Sequence, residues 1–213
     1  MRDDQRQFLD FALAQGALRF GEFRLKSGRL SPYFFNAGLF HSGRALATLG
    51  TAYARALRAA GPPFDMLFGP AYKGIPLVSA TAIALAHDGG EDVPWAFNRK
   101  EAKDHGEGGT VVGAPLAGRV IVIDDVISAG TSVAESATLI GEAGARLAGV
   151  AVALDRQEQG QGERSAVDQV RADLGVPVTP IVTLDDVITW LAERGDSDAA
   201  LERIRDYRDR YGA

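Results

Sequence analysis

The run Val120-Ile121-Val122-Ile123 constrains this chain more than any other segment, because four β-branched residues in a row leave no polar face. A strand of that kind is buried on both sides, as strands are inside a parallel sheet covered by helices. The neighbouring segments repeat the theme. Met66-Leu67-Phe68 ends at Gly69-Pro70, and a helical pattern runs from Ile75 to Ala86. A helix from about Val133 to Ala143 follows the central run, and Val150 to Leu154 is another apolar strand. Helical patterns from Ser165 to Leu174 and from Leu184 to Arg210 flank a strand at Pro180-Ile181-Val182. Strand alternating with helix predicts βαβ units, hence an α/β fold with a parallel sheet flanked by helices.

The N-terminal part has a different rhythm. Phe8, Leu9, Ala12 and Leu13 recur at helical spacing between Asp3 and Gln15, and Gly16 is a natural stop. Leu18-Arg19-Phe20 and Phe23-Arg24-Leu25 alternate as strands do, with turns expected at Gly21 and at Ser27-Gly28. Ser42 can cap a helix through Leu46, Leu49, Tyr53 and Leu57 to Gly61. Residues 1–213 are read as one domain, in which about residues 1–40 form a small hood lobe over one end of the sheet.

Composition excludes several function classes. Apolar residues at 46% and charged residues at 24% suit a globular protein, and no apolar run approaches the ~20 residues that cross a bilayer. The first six residues lack the basic-then-apolar order of an export signal, so a cytoplasmic location is expected. With no cysteine there are no disulfides, thiolate zinc sites or cysteine nucleophiles. A formal net charge of -5 argues against a nucleic-acid surface. Arg99, Lys100, Lys103 and His105 nevertheless cluster, which suits a small anionic ligand.

The chemistry is concentrated after the central run. The buried strand ends in Asp124-Asp125, and Val126-Ile127-Ser128-Ala129-Gly130-Thr131-Ser132 leads into a helix. Unpaired N–H groups at a helix start bind phosphate readily. The hydroxyls of Ser128, Thr131 and Ser132 can add donors, while Gly130 admits a close approach. Two carboxylates would repel the phosphate itself, so they must hold another part of the ligand, and ribose hydroxyls are suitable donors. The same residues also fit an ordinary polar turn whose aspartates cap the next helix. Other nucleotide motifs fit poorly. Gly-x4-Gly-Lys-Ser/Thr is missing, and Gly106-x-Gly108 and Gly160-x-Gly162 lack a third glycine.

Four apolar residues, two acids and a hydroxyl-rich loop ending Gly-Thr resemble the signature of type I phosphoribosyltransferases. Further blocks resemble the bacterial orotate phosphoribosyltransferases in the same order along the chain. They are Lys26-Ser27-Gly28 with Ser31-Pro32-Tyr33-Phe34-Phe35-Asn36, then Gly69-Pro70-Ala71-Tyr72-Lys73-Gly74, then Asn98 to Gly109, and finally Leu154-Asp155-Arg156-Gln157-Glu158. The resemblance implies transfer of a phosphoribosyl group from phosphoribosyl pyrophosphate to orotate, in pyrimidine synthesis.

It also implies roles. Asp124 and Asp125 would bind the ribose hydroxyls, and residues 126 to 132 (Val126, Ile127, Ser128, Ala129, Gly130, Thr131, Ser132) the 5-phosphate. Tyr72 and Lys73 would contact the diphosphate, in a loop where family members often have a non-proline cis peptide. Asn98 to Gly109 would be a loop closing over the substrates. It would bring Arg99, Lys103 and His105 to the pyrophosphate and Lys100 to the neighbouring subunit's site. Lys26 would reach the diphosphate of the partner, so a homodimer is implied. Phe34 and Phe35 would line the orotate ring, Arg156 would bind orotate, and Ser128 would contribute to it, although threonine is commoner there. No cluster of metal ligands is visible, so magnesium is expected to arrive with the substrate, held mainly by substrate oxygens and water.

Blander readings accompany these. Lys26 also fits a surface lysine, Phe34 and Phe35 core aromatics, residues 98–109 a solvated loop, and Arg156 an ion pair with Asp155 or Glu158. His41 and His87 have no partner pattern and are read as ordinary. Two other functions remain open: a phosphoribosyltransferase for a purine base, and a regulator that keeps the sugar-phosphate site without catalysis.

Overall fold

The computed structural model describes residues 1–25, 27–103, 109–127, 130–160, 162, 164–195 and 197–213, with the side chains at 102, 103 and 109 left aside. Lys26, His105, Ser128 and Ala129 therefore lie outside the described residues, as does the side chain of Lys103.

The chain begins with helix α1 (Asp3–Ala14), followed by strands β1 (Leu18–Arg24) and β2 (Leu30–Phe35), which pair only with each other. Gly21, expected as a turn, instead lies within a continuous β1, where the register shifts between Phe20 and Phe23. A bulge there re-aims the strand without ending it, and Gly21 has a φ of 156°. Helix α2 (Gly43–Ala60) starts where Ser42 accepts a hydrogen bond from the Ala45 amide at 3.2 Å.

Strand β3 (Met66–Gly69), helix α3 (Gly74–Gly89) and strands β4 (Trp95–Lys103) and β5 (Gly109–Gly113) come next. They are followed by β6 (Arg119–Asp124), α4 (Thr131–Glu142), β7 (Arg146–Asp155), α5 (Ala166–Leu174) and β8 (Val178–Thr183). The six-stranded sheet has the order β5-β4-β3-β6-β7-β8. All neighbours are parallel except β4 and β5, so the sheet is mixed rather than wholly parallel. Residues 98–103, expected as part of a loop, belong to β4, with Asn98 opposite Val111. Charged residues are common on an edge hairpin, which is why this strand did not read as one.

The last helical pattern divides at Gly195, in the left-handed region at φ 64°, into α6 (Leu184–Arg194) and α7 (Asp198–Tyr211). A Cβ is disfavoured in that conformation, so glycine ends the helix there.

β6 shows how the sequence builds the layers. Val120 and Val122 join one apolar cluster, with Val133 and Ile140 of α4 and Val167 and Val170 of α5. Ile121 and Ile123 join the other, with Leu49 and Tyr53 of α2 and Leu77 and Leu85 of α3. All four strand residues are fully buried, and each such side chain contributes roughly 1.5–3 kcal/mol by leaving water. Phe8, Leu9, Leu18 and Tyr33 lie in the same cluster as Ile121, so the N-terminal elements share the sheet's core.

A candidate phosphoribosyl-transfer site at the sheet's switch point

From β3 the chain reaches β4 on one side through α3, whereas on the other side β3 is flanked by β6. Where strand order reverses in this way, the loops at the carboxyl ends diverge and leave a crevice, the usual ligand position in open α/β sheets. The two segments at this point are residues 69–74 and, among the described residues, 124–127 with 130–132, both singled out from sequence.

The first loop is tight. A Cβ on Gly69 would stand 2.3 Å from the Gly74 carbonyl oxygen, and one on Gly74 would stand 2.6 Å from Cδ of Pro70. Only glycines allow that closure. The Ala71 amide donates to Oδ1 of Asn98 at 2.8 Å, which ties the loop to β4. The Ala71–Tyr72 peptide, which the sequence left open, is cis. Tyr72 is 70% exposed, and Nζ of Lys100 lies 6.0 Å from its ring centroid.

The second loop holds the two carboxylates differently. Asp124 is buried, with Oδ1 accepting from the Asp125 amide and Oδ2 from the Ser132 hydroxyl, both at 2.8 Å. Burial raises its pKa above the usual carboxylate value, against the opposing effect of the Ser132 hydrogen bond. The backbone is pinned as well: the Tyr53 hydroxyl donates to the Asp124 carbonyl at 2.7 Å, and the Ala153 amide to the Asp125 carbonyl at 2.9 Å. The Asp125 carboxylate accepts from the Val126 amide at 2.9 Å and from Lys73 Nζ at 2.7 Å. Lys73 therefore spans the crevice from one loop to the other. Its side chain is 62% exposed, so the pair contributes little to stability and the lysine can exchange Asp125 for an anion.

Gly130, at φ 71°, precedes α4 and offers no side-chain cap, so the first-turn amides keep their capacity for an anion. Thr131 and Ser132 sit in that turn, and Ile127 packs into the apolar cluster beneath it. Arg99 is half-buried in β4 and Lys100 is exposed. Lys103 ends β4, placing three of the clustered basic residues on this strand, next to the edge strand β5.

A separate polar cluster lies past the end of β7. Arg156 pairs with Glu158 through Nη2 and Oε1 and donates from Nη2 to the Ser31 hydroxyl at 3.1 Å. Its guanidinium carbon is 4.3 Å from the Tyr33 ring centroid. The ion pair with Glu158, set out above as the blander reading, is thus present. Phe35, next to Phe34 on β2, packs against the main core, 6.4 Å from the Phe40 ring. Phe34 stacks on Phe23 at 5.4 Å, with Arg19 nearby. Sequence reasoning missed Asn98 as the loop's tether and Tyr53 as the anchor of β6. Asn98 carries no local pattern of its own, and Tyr53 reads as one more apolar position on a helix.

Among the described residues no three histidines, aspartates or glutamates converge to hold a metal ion, and no helix is long and apolar enough to cross a membrane.

The profile of the Phosphoribosyl transferase domain family matches residues 39–179, which span both loops of the crevice. The orotate phosphoribosyltransferase of Thioalkalivibrio sulfidiphilus is 59% identical over 100% of both chains. That of Nitrosospira multiformis is 60% identical over 100% of this chain and 93% of its own. The crystal structure of orotate phosphoribosyltransferase from Francisella tularensis superposes with a TM-score of 0.89 at 42% identity, covering 97% of this chain and 100% of that one. A switch-point crevice flanked by the two expected loops, the domain match and full-length identities near 60% agree, and the chain belongs to the orotate phosphoribosyltransferase family of phosphoribosyltransferases.

Proposed function

We propose that the chain transfers the phosphoribosyl group of phosphoribosyl pyrophosphate to orotate, giving orotidine monophosphate and pyrophosphate, a step in pyrimidine nucleotide synthesis. The observation that carries this reading is Lys73 lying across the crevice on Asp125. An exposed cation and a carboxylate suited to ribose hydroxyls stand together, as a sugar diphosphate requires. Asp124 and Asp125 bind the ribose hydroxyls, and residues 126–132 hold the 5-phosphate at the start of α4. Tyr72 contacts the diphosphate, which the basic Lys73, Arg99, Lys103 and His105 neutralise as it leaves. Arg156 takes the orotate carboxylate, with Phe34, Phe35 and Ser128 along the ring.

Orotate is an anion and attacks through a ring nitrogen without a dedicated base. The protein's work is to align the reactants, exclude water and stabilise charge on the departing diphosphate. The residues suit a magnesium ion that would come with the substrate, since Asp124 is held by Ser132 and the Asp125 amide and, among the described residues, no three candidate ligands converge. Bound to the diphosphate, the ion supplies Lewis-acid charge there. The reading includes a homodimer in which Lys26 and Lys100 serve the neighbouring site, a hood formed by about residues 1–40, and a cytoplasmic location.

The test is the orotate absorbance of a mixture of protein, orotate, phosphoribosyl pyrophosphate and magnesium. A magnesium-dependent fall with orotidine monophosphate as product supports the reading. Consumption of hypoxanthine or adenine in place of orotate would overturn it.

A further inference from the structure

A buried hydroxyl in a folded protein almost always has a hydrogen-bond partner, and one without calls for a physical account. Tyr207 of α7 is 5% exposed, and among the described residues its hydroxyl has no partner. It is not remote from polar groups. Burial raises its pKa, and Glu158 and Arg156 also act on it, by charge and as side-chain hydrogen-bonding neighbours that lie close to the hydroxyl without meeting it in bonding geometry. Its ring stands edge-on to Tyr33 with centroids 6.3 Å apart. The Tyr33 hydroxyl donates to Glu158 Oε1 at 3.1 Å, the same oxygen that Arg156 holds. The backbone around Glu158 is fixed by the end of α7. The Gln159 amide donates to the Tyr211 carbonyl at 2.9 Å, and the Ala213 amide to the Gln157 carbonyl at 3.1 Å. Tyr207 is therefore held beside an ion pair with a donor to spare.

Arg156 cannot serve two carboxylates equally well. When a second carboxylate reaches the guanidinium, Glu158 loses part of its hold while its side chain is still only 12% exposed, and a carboxylate so far withdrawn from water needs donors. We propose that Tyr207 is a positioning residue for orotate binding: its hydroxyl is the reserve donor that Glu158 takes up when the substrate carboxylate engages Arg156. This rests on the reading of Arg156 as the orotate-binding residue. The unpaired hydroxyl then has a use that appears only with substrate. It also explains why the C-terminal helix is tied so closely to the segment after β7.

The test is the KM for each substrate, with Tm, in Tyr207→Phe, Arg156→Lys and the double variant. Tyr207→Phe removes a hydroxyl that is unpaired in the free protein, so Tm stays level or rises. The KM for orotate rises roughly tenfold, the size of one hydrogen bond to a charged group, while that for phosphoribosyl pyrophosphate is unchanged. In the Arg156→Lys background the same substitution has little further effect, because the two residues act through one contact. An unchanged orotate KM in Tyr207→Phe, with a raised one in Arg156→Lys, overturns the reserve donor and leaves Arg156 in place. An unchanged orotate KM in Arg156→Lys removes the reading beneath it and the inference together. A lowered Tm with both KM values raised makes Tyr207 a packing residue and also overturns the proposal.

Discussion

The crevice between β3 and β6 and the cluster around Arg156 are built in opposite ways. The crevice comes from two contiguous loops, and its central cation, Lys73, is 62% exposed and paired with Asp125. The Arg156 cluster comes from Ser31, Tyr33, Glu158 and Tyr207, on three separate parts of the chain, and its guanidinium-bearing side chain is 15% exposed. An exposed pair is readily exchanged for a ligand, whereas a buried pair must be given a substitute before it can release a partner. Highly charged phosphoribosyl pyrophosphate suits the first arrangement. A planar monocarboxylate that must be told from other bases suits the second.

The largest expected effect belongs to the charged side. Lys103→Ala should lower kcat by roughly 10²-fold or more, as for loss of one transition-state charge contact. Steady-state turnover at saturating substrates checks this, and an unchanged kcat would remove the basic strand β4 from the comparison.

The tightness of the crevice's first loop gives the next effect. Gly69→Ala places a methyl 2.3 Å from the Gly74 carbonyl oxygen, and backbone must move to accept it. Overpacking of this kind costs about 1–3 kcal/mol, which for a chain of this size lowers Tm by roughly 2–12 °C. A Tm equal to the wild type's would mean that the loop is looser than its contacts.

What could be seen in the sequence follows the same division. Asp124-Asp125 and the loop to Ser132 were legible because a β-branched strand, two acids and small hydroxyl residues stand side by side, and the structure puts that loop at the switch point. The parallel strands β3, β6, β7 and β8 were legible for the same local reason. The edge hairpin was not, since Asn98, Arg99, Lys100 and Glu101 break the apolar pattern that marks a strand. Nor was the partner of Arg156 singled out. Ser31 and Tyr207 are brought to it only by the fold, and Glu158, two residues away, was one ion-pair candidate of two. Local sequence thus announced the two loops and Arg156 itself, and left the neighbours of Arg156 to the tertiary structure.

A smaller effect concerns pH. Burial holds the Asp124 carboxyl above its ordinary value of 3.8, so the folded protein binds that proton more tightly than the unfolded chain does. The stability linked to this group is full below 3.8 and falls as pH rises through the raised folded value. Asp124→Asn abolishes the ionisation, and its Tm should exceed the wild type's at neutral pH, with the gap closing as pH falls to 3.8. Thermal melts across pH decide it: a gap that widens on acidification would reverse the assigned cause. Activity should fall in the same variant, a common trade at a binding site.

The smallest effect is expected at the other end of the sheet. Arg119 pairs with Asp65 through Nη2 at 2.8 Å and Nε at 3.0 Å, at the amino end of β6 and away from the crevice. Arg119→Ala should leave both KM values unchanged and lower Tm only slightly, because the pair is exposed to water. A changed KM would extend the site beyond the carboxyl ends of the strands.

The central claim, that the two sides of the site serve different substrates, is tested most directly by the KM for each substrate in Lys73→Ala and in Arg156→Lys. The account predicts a crossed result: Lys73→Ala raises the KM for phosphoribosyl pyrophosphate alone, and Arg156→Lys raises that for orotate alone. Either variant raising the other substrate's KM by as much as its own would contradict it.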